Sequence, residues 1–444
     1  MMAFGATGDP QLAYEFGLAM AREARAVGIH WTNSPVADVN SNPDNPIINT
    51  RSFGEDPAQV AEFVAACVRG LQEGGMIATL KHFPGHGDTE HDTHMGLPVL
   101  PFDARRLAAL ELVPFQAGIA AGAKAVMTAH IALPQLDPAG RPATLSAPIL
   151  TGLLRQRLGF QGVIITDSMV MQGITDHYGA AASAVLAFEA GADVFLIAAD
   201  FDDSFNSVLH ALQSGRLSMT RLDESVRRVL LVKSWLGLDR SRVVEIEKIS
   251  EIVAAPETEA LADRISNASV TLLRNQGDLL PLPATAHLKI IAVSDEPNAE
   301  FGRALQHQLE SRLAAVSLVR LSNESPRELV QAAAQAEAGE VIVLGIYLSI
   351  GAWKGKTGFS PALQELLAGA AVLPQPVITV AFGDPYVLAK LPATAAILTP
   401  YNGARVGEAA IARALTGEIN LTGRLPVTIP GRYKIGEGLQ LRSR

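Results

Sequence analysis

The sequence predicts an α/β protein built from two domains. Short apolar runs alternate with longer segments of helical periodicity from Gly28 to Leu238, and a second series of the same kind begins at Val270. Strands and helices in regular alternation indicate βα units around a parallel sheet. Of the 444 residues, 48% are hydrophobic and 18% are charged, which is the balance of a protein with a large buried core.

The first series supplies five strands and the helices between them. The predicted strands are Ile29–Ala37, Met76–Leu80, Ala125–Ala129, Val163–Thr166 and Asp193–Ile197. The predicted helices are Pro57–Glu73, Ala104–Ala121, Ala147–Leu158, Ala180–Ala190, Asp203–Gln213 and Met219–Leu236. The strands are apolar throughout, so we expect both faces of the sheet to be buried. The first two strands are expected to be neighbours.

A charged segment, 239–262, is interpreted as a linker to the second series. The strands predicted there are Val270–Leu273, Lys289–Val293, Val316–Leu321, Val341–Tyr347, Val377–Ala381 and Ala396–Thr399, with helices that include Pro361–Ala370 and Gly407–Leu415. The predicted division is a first domain at 1–238, this linker, a three-layer α/β sandwich at 263–432 and a tail at 433–444.

Charge and cysteine content exclude several classes of protein. The net charge is −9 and no basic run is present, which argues against a nucleic-acid partner. A single cysteine, Cys67, excludes an internal disulfide framework, and its apolar neighbours predict a buried thiol. The sequence contains no apolar run long enough to predict a membrane span. Met1–Pro10 lacks the features of a signal peptide, so the chain as given is expected to be cytoplasmic.

Polar chemistry concentrates in Lys81–His94, the histidine segment, which has the sequence K-H-F-P-G-H-G-D-T-E-H-D-T-H. Four of the ten histidines lie in it: His82, His86, His91 and His94. The segment directly follows the predicted strand Met76–Leu80. We therefore expect an irregular loop at the carboxyl end of a parallel strand, where α/β barrels carry their active sites.

The residues alone leave three interpretations of this segment open. A solvated polar loop is the simplest. Histidine and carboxylate side chains also ligate zinc, although the Pro-Gly pair between His82 and His86 prevents a helical i, i+4 ligand geometry. In the third interpretation Asp92 and His94, two apart in an extended segment, form an acid/base pair. The carboxylate then holds one ring nitrogen and the other transfers protons.

Two further motifs carry candidate residues. Asp167 ends the apolar strand of V-I-I-T-D-S-M, and it is either the N-cap of the next helix or a catalytic carboxylate. In N-T-R-S-F-G-E-D-P, Asp56 and Pro57 predict the start of a helix. Arg51 in the same motif is either a surface charge or a substrate clamp.

These motifs resemble glycoside hydrolase family 3. The likeness is carried by the histidine segment, by R-S-F-G-E-D-P, by M-T-A-H-I and by G-F-Q-G-V-I-I-T-D-S-M, and it extends to R-L-P-V-T-I-P, which ends at Pro430. Within the family they look like the β-N-acetylglucosaminidase branch, which has a His–Asp acid/base dyad. The resemblance implies an N-terminal (β/α) TIM-type barrel followed by the α/β sandwich. It also implies a retaining exo-acting enzyme for terminal N-acetylhexosamine, with no cofactor and no metal.

The resemblance assigns roles to six residues. Asp167 corresponds to the nucleophile, and His94 with Asp92 to the acid/base pair. The sugar-binding residues are Arg51, Lys81 and His82. A retaining glycosidase needs a carboxylate nucleophile and a proton donor near the leaving oxygen. A neutral histidine adds no negative charge to the site. An anionic acceptor of the sugar, such as phosphate, is therefore possible as well as water. The alternatives are therefore a related β-glucosidase or glycoside phosphorylase, or a non-catalytic carbohydrate-binding remnant.

One departure from the family pattern concerns the start of the chain. The D-x-E-G-G motif that family members usually carry upstream is not found, and five predicted strands stand against the eight of a closed barrel. The resemblance implies that the first two βα units are absent. We then expect an exposed strand edge and weak or no activity of the chain as given. A periplasmic or extracellular location is open if a leader belongs to the missing start.

Overall fold

The computed structural model describes residues 1–90, 92–297, 300–348, 350–351, 354 and 358–444, so His91 lies outside the described residues. The chain divides into two compact units. One unit is Pro10–Thr258, and the other combines Met1–Asp9 with Glu259–Arg444. The first helix, α1 (Met2–Thr7), therefore belongs to the second unit, where Met2 is part of the core. The domain bounds expected from sequence stay a prediction.

A parallel sheet forms the centre of the first unit. Within the described residues its strands, in spatial order, are β1 (Thr79–Phe83), β2 (Ala125–Thr128), β3 (Val163–Ser168) and β4 (Val194–Leu196). Residues 31–36 run parallel to β1 through the bridges Trp31–Ile77 and Val36–Lys81, which confirms the predicted neighbours. The ladder is not continuous there, since the two bridges are five residues apart in this segment and four residues apart in the other.

Three helices of the first unit were not predicted, and the predicted ones form with few changes. The helices of this unit are α2 (Pro10–Ala26), α3 (Pro57–Glu73), α4 (Ala104–Ala109), α5 (Leu112–Ala120), a π-helical segment (Pro148–Arg157), α6 (Gln172–Thr175), α7 (Ala180–Ala190), α8 (Phe201–Gln213), α9 (Met219–Trp235) and α10 (Ile249–Ile252). The predicted start of α3 is confirmed, since Asp56 Oδ1 accepts a hydrogen bond from Gln59 N at 2.8 Å. Cys67 on α3 is fully buried, and burial raises the pKa of its thiol to about 12.

Three details differ from the sequence prediction. The strand expected at Met76–Leu80 lies three residues later, because its ladder with β2 continues to Phe83. The helix expected at Ala104–Ala121 is broken between α4 and α5, where Glu111 turns inward. The residues of β4 are only half-buried, so the expectation of a sheet buried on both faces is wrong for this strand.

The second unit contains a six-stranded sheet among its described residues. The strands are β5 (Thr271–Asn275), β6 (His287–Ser294), β7 (Ala315–Leu321), β8 (Glu340–Leu348), β9 (Val377–Gly383) and β10 (Ala396–Thr399), in the spatial order β5-β10-β9-β8-β6-β7. Only the β5–β10 pair is antiparallel. The helices are α11 (Pro256–Ser269), α12 (Arg303–Glu310), α13 (Arg327–Ala333), α14 (Pro361–Gly369) and α15 (Arg405–Thr416).

Two apolar cores lie on opposite faces of this second sheet. Successive residues of β8 alternate between them: Ile342 and Leu344 belong to a core with α13 and α14, and Val343 to a core with α12 and α15. This alternation follows from the period of two in a β-strand. The second unit is thus a helix–sheet–helix arrangement. In the described part of the chain, no helix is both long enough and apolar enough to cross a membrane.

The carboxylate of Asp193, just before β4, is an electrostatic anchor of the first unit. It is fully buried and pairs with three arginines, Arg155 at 2.6 Å, Arg228 at 3.0 Å and Arg221 at 3.4 Å. Asp193→Ala leaves three largely buried guanidinium groups without their counter-charge. We expect it to lower the free energy of unfolding by about 3–5 kcal/mol, measured by chemical denaturation.

A matched control is Glu189→Ala, which removes the partner of Arg216 from a more exposed pair. Exposed ion pairs contribute about 0–1 kcal/mol. Equal losses in the two variants would contradict the anchoring role of Asp193.

Candidate active site

A polar cavity opens at the carboxyl ends of β1 and β3. It encloses about 440 Å³, part of it open to solvent. The lining residues are Asn33, Ile47, Ile48, Arg51, Lys81, His82, His86, Thr93, His94, Met127, Asp167 and Leu196. Five of the six predicted site residues line this cavity, and the sixth, Asp92, is hydrogen-bonded to His94. The structure thus brings together residues that are up to 116 positions apart in the chain (51 to 167).

Asp167 lies at the carboxyl end of β3. Its Oδ1 accepts a hydrogen bond from the Ser168 amide at 2.8 Å, whereas the N-cap of the next helix, α6, is Met171. The N-cap interpretation of Asp167 is therefore wrong. Burial acts to raise the pKa of this carboxyl group, but the His82 and His130 rings, the Ser168 amide and Lys81 outweigh burial and hold the pKa below its usual value. Asp167 is ionised at neutral pH.

Asp92 and His94 are paired within a tight turn. Asp92 Oδ1 accepts hydrogen bonds from both His94 Nδ1 at 2.6 Å and the His94 amide at 2.9 Å. The extended geometry expected for this segment is wrong, because the Met95 amide donates back to the Asp92 carbonyl at 2.9 Å. The Asp92 side chain is 2% exposed and that of His94 is 21% exposed. A buried carboxylate therefore orients an imidazole that reaches the cavity.

Lys81 and His82 are strand residues and not loop residues, which corrects the sequence expectation. Arg51 reaches the same place: its Nη1 donates to the Ile47 carbonyl at 2.7 Å, and its Nη2 lies 3.4 Å from His82 Nε2. Burial and the Arg51 charge lower the pKa of Lys81, and they lower that of His82 well below its usual value. Arg51 is thus a cavity residue, and His82 is neutral at pH 7.

Sequence reasoning missed Asp38, which is fully buried beneath these residues. Its Oδ1 accepts from the amides of His82 at 3.1 Å and His86 at 2.8 Å, and its Oδ2 lies 2.7 Å from His82 Nδ1. Burial raises the pKa of Asp38, although His86, the two amides and Arg51 act against it. The available signal was its position directly after the predicted strand Ile29–Ala37, the rule that identified Asp167.

His86 is also buried, and its ring contacts lie within the histidine segment. Its Nδ1 lies 2.8 Å from Thr89 Oγ1, and its Nε2 lies 3.1 Å from Thr93 Oγ1. The next residue must be glycine, because a Cβ on Gly87 would stand 1.7 Å from the Val39 carbonyl oxygen. Burial lowers the pKa of His86. This histidine therefore acts as an internal support of the segment that carries Asp92 and His94.

His130 of the M-T-A-H-I motif is a second residue that sequence reasoning left without a role. Its Nε2 lies 2.9 Å from the Ser168 carbonyl, and its Nδ1 lies 2.8 Å from Thr144 Oγ1. A carbonyl only accepts, so Nε2 carries a proton. Burial lowers the pKa of His130, which keeps the ring neutral. The ring thereby fixes the backbone beside Asp167.

The described residues of the histidine segment, which leave out His91, bear on the zinc interpretation. Among the residues that the structure describes, no group of three or more His, Cys, Asp or Glu side chains is placed to hold a metal ion. The nitrogens of His86 face threonine hydroxyls, and Nδ1 of His82 faces Asp38.

The buried histidines predict a pH dependence of stability. His82, His86 and His130 all have pKa values below the ordinary 6.5 in the folded state. Below about pH 6.5 these three histidines therefore bind more protons in the unfolded chain than in the folded one. The free energy of unfolding should fall as the pH drops from 7 toward 5, by up to about 1.4 kcal/mol per pH unit for each histidine.

His130→Gln tests this dependence, because other titrating groups cancel when the slopes of variant and parent are compared. We expect a shallower fall in the free energy of unfolding for the variant over the same pH range, measured by urea denaturation. Parallel pH curves would contradict the assignment of a neutral, buried His130.

An ionised aspartate and a carboxylate-held histidine line one polar cavity at the end of a parallel sheet, so a nucleophilic group and a proton-transfer group stand together. Comparison with known proteins identifies the class. The glycosyl hydrolase family 3 N-terminal domain matches residues 1–232, and the C-terminal domain of the same family matches residues 270–439. The chain belongs to glycoside hydrolase family 3.

Within this family, the chain is similar to individual proteins and solved structures that carry names. A protein from Cellulomonas fimi named beta-N-acetylglucosaminidase/beta-glucosidase is 30% identical over 96% of this chain and 79% of its own length. The structure of a family 3 beta-N-acetylglucosaminidase from Paenibacillus sp. str. FPU-7 superposes with a TM-score of 0.87 at 34% identity, over 96% of this chain and 82% of that one. A beta-glucoside phosphorylase, BglX, superposes with a TM-score of 0.86 at 26% identity, over 97% and 80% of the two chains.

Proposed function

We propose that the protein is a retaining, exo-acting β-N-acetylglucosaminidase that removes terminal N-acetylhexosamine from amino-sugar glycosides such as cell-wall fragments. One observation carries the proposal: the ionised Asp167 and the Asp92-held His94 line the same cavity. The names of the relatives from Cellulomonas fimi and Paenibacillus support the amino-sugar substrate.

In the first step, Asp167 attacks the anomeric carbon and the bond to the leaving oxygen breaks. Its low pKa keeps the carboxylate ionised for this attack. His94 donates its proton to the leaving oxygen, and Asp92 stabilises the imidazolium form and orients the ring through Nδ1. In the second step His94 takes a proton from water, which displaces Asp167 and releases the sugar with retained configuration.

Sugar binding is proposed for Arg51, Lys81 and His82. All three line the cavity with Asp167, and together they offer cationic and imidazole groups suited to sugar hydroxyls. Burial lowers the pKa of Lys81, while the charge of Asp167 acts to raise it. The Asp167 carboxylate therefore helps to keep Lys81 protonated.

We further propose that the sheet β1–β4 and the neighbouring segment 31–36 are part of a TIM-type barrel, with the catalytic domain at 1–238 and the sandwich at 263–432. The parallel order of β1 to β4 in the chain supports this arrangement. Residues matched by the two family domains, 1–232 and 270–439, support the division.

A phosphorylase is the second candidate function. A histidine acid/base adds no negative charge beside an incoming phosphate, and one structural neighbour is a beta-glucoside phosphorylase. In that case phosphate and not water would accept the sugar from Asp167.

One assay separates these functions. Nitrophenyl β-N-acetylglucosaminide is incubated with the protein in phosphate-free buffer and in phosphate, and the sugar product is identified by mass spectrometry. The proposal predicts free N-acetylglucosamine in both buffers and a slower reaction with the matching glucoside. Sugar 1-phosphate as the main product in phosphate would favour the phosphorylase, and no turnover of either glycoside would contradict both functions.

A further inference from the structure

Asp38 occupies a position from which one carboxylate reaches two parts of the site. Its side chain is 0% exposed, and it accepts from backbone amides at both ends of the turn between His82 and His86. It does not line the cavity, so it acts through other residues.

The proton on His82 can be placed from its two ring contacts. A guanidinium nitrogen only donates, so His82 Nε2, 3.4 Å from Arg51 Nη2, must accept. The ring proton of the neutral imidazole therefore sits on Nδ1. It is donated to Asp38 Oδ2 over 2.7 Å, which requires Asp38 to be the ionised acceptor. The carboxylate thus selects the tautomer of His82 that can hold Arg51.

The second contact leads to the acid/base pair. Asp38 Oδ1 accepts from the His86 amide, and the His86 ring contacts Thr93 Oγ1 at 3.1 Å. Thr93 lies between Asp92 and His94 in the chain, and it is buried. A path of two contacts therefore runs from Asp38 to the turn that presents His94.

We infer that Asp38 is a positioning residue for the reaction: its carboxylate sets the tautomer of His82 and through it the Arg51 guanidinium, and it anchors His86, whose ring supports the acid/base turn. The kinetic part of this inference rests on the proposed function.

Asp38→Asn tests the first path with little change in volume. The amide oxygen can still accept from the two backbone amides, but the amide N–H₂ faces His82 Nδ1 and forces the ring proton onto Nε2, where it opposes an N–H of Arg51. We expect kcat/KM for N-acetylglucosaminides to fall about 10- to 100-fold, by the same factor for good and poor leaving groups. Nitrogen NMR of labelled histidine should show the His82 proton moved from Nδ1 to Nε2.

Asp38→Ala removes both paths, so we expect a further loss that is larger for poor leaving groups. Glu408→Gln is the matched control: this buried carboxylate in the second unit also accepts from two amides, those of Gly302 and Leu305, each at 2.8 Å. Its kcat/KM should equal that of the parent.

Unchanged kcat/KM in a cooperatively folded Asp38→Asn protein, or a His82 proton that stays on Nδ1, would overturn the inference. The NMR measurement needs no turnover. If the parent protein cleaves no glycoside, the proposed function fails, while the tautomer of His82 in parent and variant still decides the role of Asp38.

Discussion

Asp167→Asn should abolish turnover of an aryl β-N-acetylglucosaminide while the protein stays folded. The amide keeps the size of the side chain but has no charge with which to attack the anomeric carbon. Loss of a residue that reacts directly typically costs about 10⁴-fold or more in kcat. The measurement is the initial rate with a good leaving group, together with a thermal unfolding curve that verifies the fold.

Asp137→Asn is the control for this prediction. Asp137 is also a buried carboxylate of the first unit and accepts from the Ala139 amide at 3.0 Å, but it does not line the cavity. Its activity should be close to that of the parent. Substantial activity in folded Asp167→Asn would remove Asp167 from the mechanism.

His94→Ala should slow the reaction in a way that depends on the leaving group. A phenyl glycoside needs its leaving oxygen protonated, so we expect a loss of about 10²- to 10⁴-fold. A dinitrophenyl glycoside leaves without a proton and should lose much less in the first step. Asp92→Asn should show a milder form of the same pattern, because it disturbs only the orientation and the charge of the ring.

The matched control for this series is His177→Ala, since His177 is exposed and is not among the cavity residues. His177→Ala should leave the rate with both glycosides unchanged. A loss in His94→Ala that is equal for both leaving groups would show that His94 is not the general acid. It would instead resemble the pattern expected for Asp38→Asn.

The sequence was sufficient to find the residues that stand at strand ends in distinctive motifs. Asp167 follows an uninterrupted apolar strand, and Asp92 and His94 belong to a segment with four histidines. In both cases the residues that identify the site are close together in the sequence. The apolar run identifies the strand, and the parallel arrangement places its carboxyl end beside the carboxyl ends of the other strands.

The sequence was insufficient where polar residues are buried by tertiary contacts. Lys81 and His82 lie within a strand although neither is apolar, because the ladder with β2 continues to Phe83. Asp38 follows a segment that pairs with its neighbour only through two isolated bridges, and its partners lie 44 and 48 positions away. The break at Glu111 has the same cause, since its carboxylate turns inward to Arg106 at 3.0 Å. Period-based reasoning does not register such satisfied polar groups.

Trapping the glycosyl-enzyme tests most directly whether Asp167 is the nucleophile. The protein is incubated with a fluorinated N-acetylglucosaminyl fluoride, and the digest is analysed by mass spectrometry. The ring fluorine slows the second step because it destabilises the oxocarbenium-like transition state. We expect one peptide with the mass of the added sugar, with the modification on Asp167. Sugar attached to another residue, or no adduct together with an inverted anomer as the first product of normal turnover, would contradict this role of Asp167.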